Sequence, residues 1–377
     1  MPRTRPVSAT LGLLLAVGLA LACGGGTGAP ASKTATGSAP PGQAAPSGTA
    51  APASGASAAP TALQVRKLTL GVPVTPPNMV HLAPYVAQEQ GFFRDVGLDV
   101  EFKNFEGGVQ SLRGSIAGGL DVAGTSSDPI IAAAARKVGV KAIGTYAPKL
   151  SVVMTAQEDI HTPADLKGRK IGIQEVGGFN EVMSRAVLQT AGLTPNDVQY
   201  VTVSTAGRVP GLVSKQIDAA ILHIDQYYRA VETNPNFTVV DKLWDVLPKW
   251  WYSGYMATDD QIRQDRPRLV DFETAIVRAG RFMYDNKART VEIGVQYTNQ
   301  PRDVVERAYD DLATGGIWAV NDGMPRDMIE YTIDKQVELG SIKPEEKPTY
   351  EQLVDRSIVD EAVQRNGGPW TGDPRWY

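Results

Sequence analysis

The chain has one cysteine, Cys23, and three histidines, His81, His161 and His223, in 377 residues. A single cysteine excludes an intrachain disulfide and any metal site assembled from several thiolates. No G-x-S-x-G, H-E-x-x-H or G-x-x-x-x-G-K is present, so the usual nucleophile elbow, zinc helix and phosphate-cradling loop are all missing. Basic residues are in no excess, with 37 Lys and Arg against 41 Asp and Glu; the basic face that nucleic acid would need is not there. Long hydrophobic runs are scarce as well. The uncharged run Leu11–Ala22 (LGLLLAVGLALA) would rise only about 18 Å as a helix, short of a bilayer core of roughly 30 Å.

That run follows Arg3 and Arg5 and ends in Leu19-Ala20-Leu21-Ala22-Cys23, the layout of a cleavable export signal over residues 1–22. The last five residues resemble a bacterial lipobox, with Ala20 where Leu is usual. The resemblance implies cleavage before Cys23 and lipidation (palmitate) of its thiol. The alternative is an ordinary secretory signal cut after Ala22. From Gly24 to Ala62 every residue except Lys33 and Gln43 is Gly, Ala, Pro, Ser or Thr. Such a segment buries too little apolar surface to offset the entropy of ordering it, so residues 23–64 are expected to form a disordered tether spanning roughly 35 Å.

All the acidic residues, and all basic ones except Arg3, Arg5 and Lys33, lie beyond residue 64. Alternation of short apolar runs with amphipathic stretches predicts strands at Lys67–Val72, Leu98–Phe102, Asp121–Gly124 and Val140–Gly144, with intervening helices at Leu82–Gln90, after Gly107-Gly108, and at Pro129–Lys137. A second unit repeats the rhythm: strands Lys170–Gln174, Val198–Val203, Ala219–Leu222 and Thr238–Asp241, helices Phe179–Ala191, Val209–Lys215 and Gln226–Glu232. From Ile262 the pattern is helical to about Leu339, then again over Tyr350–Gln364. This predicts an α/β protein of two lobes, each a mainly parallel sheet flanked by helices, with a helical C-terminal segment on lobe one. The expected boundaries are 65–155 for the first part of lobe one, 156–252 for lobe two and 253–377 for the return, with Ser151–Ala156 and Trp251–Ala257 as hinge segments. Ligands of such sheets bind beyond the carboxyl ends of the strands, where two lobes would face one cleft.

The order LTLGV…PNMVHLAPYVAQEQGFFRDVGLDVEF…FEGG…IAGGLDVAGTSS, followed by DLKGRKIGIQEVGG, is similar to the periplasmic solute-binding proteins of ABC importers. Within them it resembles the NMT1/THI5-like group of thiamine-pyrimidine-precursor, riboflavin, sulfonate and nitrate binders. The resemblance covers Lys67 to about Tyr255. It implies a periplasmic-binding-protein fold of type II, a small-molecule ligand in the cleft, and an ABC permease with its ATPase as partner.

Four strand-to-helix loops should reach that cleft. In Pro76–His81, Asn78 offers a paired donor and acceptor and His81 can do either; the structural alternative is an N-cap by Asn78. Ser126 and Ser127, before Pro129, can cap a helix or present N–H groups to an oxygen, and neighbouring Asp128 suits a ligand with N–H groups. Gly177 and Gly178 permit close backbone approach, with Phe179 as a ring face and Asn180 beside it. His223 ends a strand and Asp225 stands in the cap region of the next helix. Arg208 is a candidate partner for a phosphate, sulfonate or carboxylate. Among the aromatics Trp244, Trp250, Trp251, Tyr252, Tyr255 and Tyr146, the expected ligand faces are Tyr146 and Trp251.

The function expected from these residues is extracytoplasmic capture of a small solute by a lipid-anchored monomer. The solute is a planar heterocycle such as riboflavin or a thiamine-pyrimidine precursor, without cofactor, metal or nucleic acid. The alternatives are a sulfonate, taurine or nitrate binder of the same group, a pyrimidine-synthase-like enzyme on the same fold, and a receptor sensor domain.

Overall fold

The computed structural model describes residues 65–371; the expected signal peptide, Cys23 and the tether lie outside them. The described residues fall within one compact unit built on two five-stranded sheets. The first holds β1 (Arg66–Val72), β2 (Leu98–Asn104), β3 (Val122–Ser126), β4 (Val140–Gly144) and β10 (Ser253–Thr258), in the order β2-β1-β3-β10-β4. The second holds β5 (Val152–Ala156), β6 (Lys170–Ile173), β7 (Gln199–Thr202), β8 (Ala219–His223) and β9 (Thr238–Lys242), in the order β7-β6-β8-β5-β9.

Burial follows the sequence pattern. β2 buries Leu98 and Val100 and exposes Asp99 and Glu101, so this edge strand carries charges that discourage pairing with another chain. β3, β5 and β8 are interior strands and are buried throughout, which is why they read as short apolar runs without alternation. Each sheet has one strand running against its neighbours. β10 is antiparallel to β3 and β4, and β5 is antiparallel to β8 and β9.

Those two strands revise the expected hinges. Val152–Ala156 pairs along its whole length with β8, and Ser253–Ala257 lies inside β10. Neither is a free linker, and a division between 155 and 156 would cut β5. The chain crosses between lobes earlier, through 145–151, and returns through 247–252.

After β10, Thr258 caps the helix Asp259–Asp285: its hydroxyl accepts from the Gln261 amide and Gln261 Oε1 accepts from the Thr258 amide, a reciprocal capping box. Pro267 and the non-helical Asp265 kink this helix. The expected single helix at Tyr350–Gln364 is two, Tyr350–Leu353 and Arg356–Arg365. Between them Val354 forms a parallel bridge with Ala142, and the Asp355 amide donates to the Ala142 carbonyl at 2.9 Å, so the helix breaks to cover the exposed edge of β4. The C-terminal helices pack mainly on lobe one. The helix Arg302–Gly315 also reaches the lobe-two helix Ile224–Thr233, where Tyr228 donates to Asp311 and the Arg307 guanidinium lies 4.1 Å above the Tyr228 ring. Among the described residues no helix is long and apolar enough to cross a membrane.

Candidate functional site

The carboxyl ends of β1, β3, β6 and β8 face each other across the lobes, and the loops that follow them close over a cluster of rings. His81, in the short turn Met79–His81, stands 5.1 Å from the Tyr146 ring and 5.5 Å from that of His223, centroid to centroid. Phe179, first residue of the helix Phe179–Thr190, stacks on His223 at 6.0 Å and 14° and meets Tyr252 edge-on at 4.8 Å. The Tyr252 hydroxyl lies between the two imidazoles, 3.3 Å from His81 Nε2 and 3.4 Å from His223 Nε2. Tyr252 rides on the returning crossover: its amide donates to the Pro148 carbonyl and its carbonyl accepts from the Ser127 amide.

Polar side chains surround the rings. Asn78 stands at the cap position of the turn, yet its side chain makes no cap bond. Its Nδ2 instead reaches Asp225 Oδ2 on the other lobe at 3.4 Å. Arg208 is 1% exposed. Its Nη1 donates to the Ile221 carbonyl of β8 at 2.8 Å, and Asn180 Nδ2 donates to the same oxygen at 3.1 Å. One strand carbonyl thus orients two candidate site side chains. Unpaired buried atoms concentrate here: Arg208 Nε and Nη2, the Nδ1 of His81 and of His223, and the Oδ1 of Asn78, Asn180 and Asp225. Gln226, which sequence reasoning missed, donates from Nε2 to the Thr205 carbonyl and leaves Oε1 unpaired.

Burial sets the charges. His81 is pushed down to about 3, first by loss of water and then by the Arg208 guanidinium. His223 falls well below its ordinary value through burial, then His81 and Arg208. Burial pushes Asp225 up to about 6, against the hydrogen bond from Asn78, and lowers Arg208 to about 10. At neutral pH the site presents two uncharged imidazoles, a guanidinium with its Nε/Nη2 edge unpaired, and a carboxylate reluctant to ionise. That edge matches the fork geometry of an oxyanion, while the unpaired Asn78 and Asp225 oxygens accept N–H donors.

The remaining expected residues fall differently. Ser126 and Ser127 are buried at the start of the helix Ser127–Ala135, and the Ser127 hydroxyl is unpaired. Asp128 is tied to Gln336 Nε2 of the helix Arg326–Glu338 at 2.9 Å. Gly177 is exposed with φ +74°, a left-handed conformation that favours glycine, and its amide donates to Glu181. Gly178 is buried against the side chain of Glu175, a residue that no sequence motif singles out. Trp251 is a correction. It packs in the lobe-one core near Ile130, fully buried, with its amide donating to Thr332 Oγ1 at 2.7 Å. In the run Trp250-Trp251-Tyr252 successive residues serve different surroundings, and Tyr252 alone joins the ring cluster.

Between the lobes a pocket of about 480 Å³ opens beside this cluster, walled by Pro76, Asn78 and Asn299 on one side and Thr205, Gln226 and Arg229 on the other. Its size suits a small solute. Larger hollows of about 810 and 870 Å³ lie elsewhere, walled by lobe one and the first crossover rather than by both lobes. Among the described residues no group of three His, Cys, Asp or Glu could hold a metal ion.

The family model for NMT1/THI5-like proteins matches residues 78–289, from Asn78 through both crossovers and both lobes. The chain belongs to the NMT1/THI5-like family. A Brucella abortus binding protein is 27% identical over 213 residues, 56% of this chain and 66% of that one, so the match spans just under two thirds of that relative. The formylaminopyrimidine-binding protein of Halalkalibacterium halodurans is 28% identical over 233 residues, 59% of this chain and 68% of that protein. The solved alkanesulfonate-binding protein SsuA of Xanthomonas axonopodis, bound to MOPS, superposes with TM-score 0.62 at 16% identity, covering 77% of this chain and 98% of that one. The NMT1/THI5-like family and the two-lobed fold expected from the sequence are therefore established for this chain.

Proposed function

We propose that the protein is the extracytoplasmic solute-binding component of an ABC importer, closing its lobes around one small planar nitrogen heterocycle and presenting it to a membrane permease and its ATPase. The observation that carries this reading is the set of unpaired polar atoms gathered where the lobes meet, foremost Arg208 Nε and Nη2. Leaving a buried donor unpaired costs about 1–3 kcal/mol, and more for a charged group. A solute that satisfies these atoms therefore supplies the free energy that favours the closed lobes, a population shift driven by differential affinity.

The ring faces of Phe179, Tyr252 and Tyr146 suit a flat molecule, and the Asn78 and Asp225 oxygens suit its N–H edge. A riboflavin-like or thiamine-pyrimidine-precursor solute meets both requirements, in line with the formylaminopyrimidine relative. Micromolar capture needs about −8 kcal/mol, within reach of one stacked ring and a few charge-assisted hydrogen bonds. The Arg208 fork favours a second reading, a sulfonate or other small oxyanion, in line with the alkanesulfonate-bound neighbour.

Mass spectrometry of the solute that co-purifies, followed by a thermal-shift panel, separates these readings. A saturable shift with a pyrimidine or riboflavin supports the heterocycle. Shifts confined to taurine, alkanesulfonates or nitrate overturn it in favour of the oxyanion, and turnover of a pyrimidine substrate overturns capture altogether. Export through residues 1–22 and lipid anchoring at Cys23 belong to the same proposal. Cys23→Ser should release the protein from the membrane fraction, and an unchanged partition would remove the anchor from it.

A further inference from the structure

Away from the ring cluster, the loop after β6 meets the loop after β2. Gln174 Nε2 donates to the Glu106 carbonyl at 2.9 Å, and the Val109 amide donates to Glu175 Oε1 at 2.8 Å. Val109 is the second residue of the helix Gly108–Ile116, where amides have no partner within the helix and the helix dipole favours an anion. Burial pushes the Glu175 carboxyl above its ordinary value, and the Val109 and Gln110 amides near it oppose that rise. Val176, next in the chain, is 77% exposed: the loop points one side chain to solvent and the preceding one into the opposite lobe.

Two glycines on different lobes make room for that carboxylate. A Cβ added to Gly107 would lie 2.2 Å from the Glu175 carboxyl carbon, and one added to Gly178 would lie 2.6 Å from Glu175 Cγ. Neither has a left-handed φ; Gly107 is at −165° and Gly178 at −93°. Space for Glu175, rather than backbone conformation, is what a side chain at either position would violate.

A further group lies against the same helix start. Thr125 is wholly buried and its hydroxyl is unpaired. That hydroxyl would be the nearest atom, at 2.4 Å, to a Cβ on Gly108. The Thr125 carbonyl accepts from the Tyr146 hydroxyl at 3.3 Å, so one residue of β3 touches both this corner and the ring cluster.

We infer that Glu175 is an internal anionic ligand. On closure its carboxylate occupies an oxyanion seat on the opposite lobe, formed by the Val109 and Gln110 amides beside Thr125. There it latches the cleft and denies that seat to an oxyanion of the solute. A solute can then present a negative group to Arg208 but not a second one to this helix start. The inference rests on the two-lobed closing motion and not on which solute is captured.

Residue-resolved hydrogen exchange of the full chain tests it. Glu175→Ala should speed exchange of the Val109 amide about ten- to a hundredfold, the worth of a charge-assisted hydrogen bond. Glu175→Gln, which keeps a neutral acceptor, should fall between. Millimolar acetate should restore protection in Glu175→Ala, while chloride at equal ionic strength should not, and acetate should leave the wild type unchanged. Gly107→Ala, which keeps Glu175 but fills its seat, should reproduce the loss and decides the matter if Glu175→Ala fails to fold. Unchanged Val109 exchange in the variants, or acetate acting no better than chloride, overturns the latch. A solute-induced thermal shift that survives such a result leaves the capture reading standing.

Discussion

His81 of the first lobe and His223 of the second meet edge to face, their ring centroids 5.5 Å apart at 79°. Each is brought to the contact by its own sheet, so a motion that parts the lobes would separate the pair. Burial holds both rings well below the ordinary 6.5. A depressed value of this kind favours the closed form above the ordinary value and loses that contribution as pH falls towards the closed-state one. Solute affinity should therefore weaken as the pH drops through about 6.5. Asp225, raised to about 6 from 3.8, acts in the opposite sense lower down and should flatten the curve there. Binding isotherms across this range, on wild type and His223→Asn, check it; a wild-type affinity that is flat from about pH 8 to pH 6 contradicts it.

Arg208 should separate binding from stability. Arg208→Met removes a buried cation that has one hydrogen bond and two unpaired nitrogens. Its loss should leave the melting temperature of the ligand-free protein unchanged or higher, while solute affinity falls by about 3 kcal/mol, roughly a hundredfold. Arg208→Lys keeps the charge but not the fork and should also bind weakly. Calorimetric melting alongside titration reads both quantities; a parallel loss of the two would make Arg208 a structural residue.

Glu273 offers a prediction remote from the site. It is fully buried in the kinked helix, both carboxyl oxygens are unpaired, and it fills the space a side chain on Gly144 would need. Burial raises its value well above 4.5, so the native protein retains a proton that the unfolded chain releases. Stability contributed by that proton is present below 4.5 and is lost as pH rises through the native value. Glu273→Gln should therefore raise the melting temperature at alkaline pH relative to wild type and leave it nearly unchanged near pH 4. The opposite pH trend in paired thermal scans would rule this out.

Trp251 and Phe179 should behave as opposites. Trp251→Ala opens a cavity in the lobe-one core and should cost about 3–5 kcal/mol of stability, with solute affinity intact under conditions where it folds. Phe179→Ala removes a ring face on His223 and Tyr252 and should weaken binding about tenfold, the lost stacking adding about 1.4 kcal/mol. Denaturant melts paired with titrations distinguish them.

These residues also mark how far the sequence reaches. Period and run length locate eight of the ten strands because their apolar positions repeat at fixed spacing and loops interrupt them. β5 and β10 escape because VVMTA and SGYMAT follow crossovers, where a connecting segment and an interior strand share one composition. Asn78, His81, Phe179, Asn180, His223 and Asp225 are legible as loop residues after strands. The burial of Arg208 is not, since an arginine at a helix start looks solvated until β8 supplies a carbonyl behind it. The doublet Gly177-Gly178 reads as room for a ligand and Gly107-Gly108 as a helix start; Gly107 and Gly178 instead make room for Glu175, a distinction that depends on which loops face each other. The core position of Trp251 is hidden for a related reason, because adjacent positions in an extended crossover point to unrelated surroundings.

The position of β10 between β3 and β4 has a consequence for the order of events during synthesis. β3 and β4 are neighbours in sequence but have no ladder with each other, and the strand that joins them is made only after all five strands of the other sheet. The second lobe is therefore complete in the emerging chain while the first still lacks the strand that joins β4 to the rest of its sheet. The earliest-made half of the protein is the last able to assemble, and it waits, with β4 unpaired, on a segment more than a hundred residues downstream.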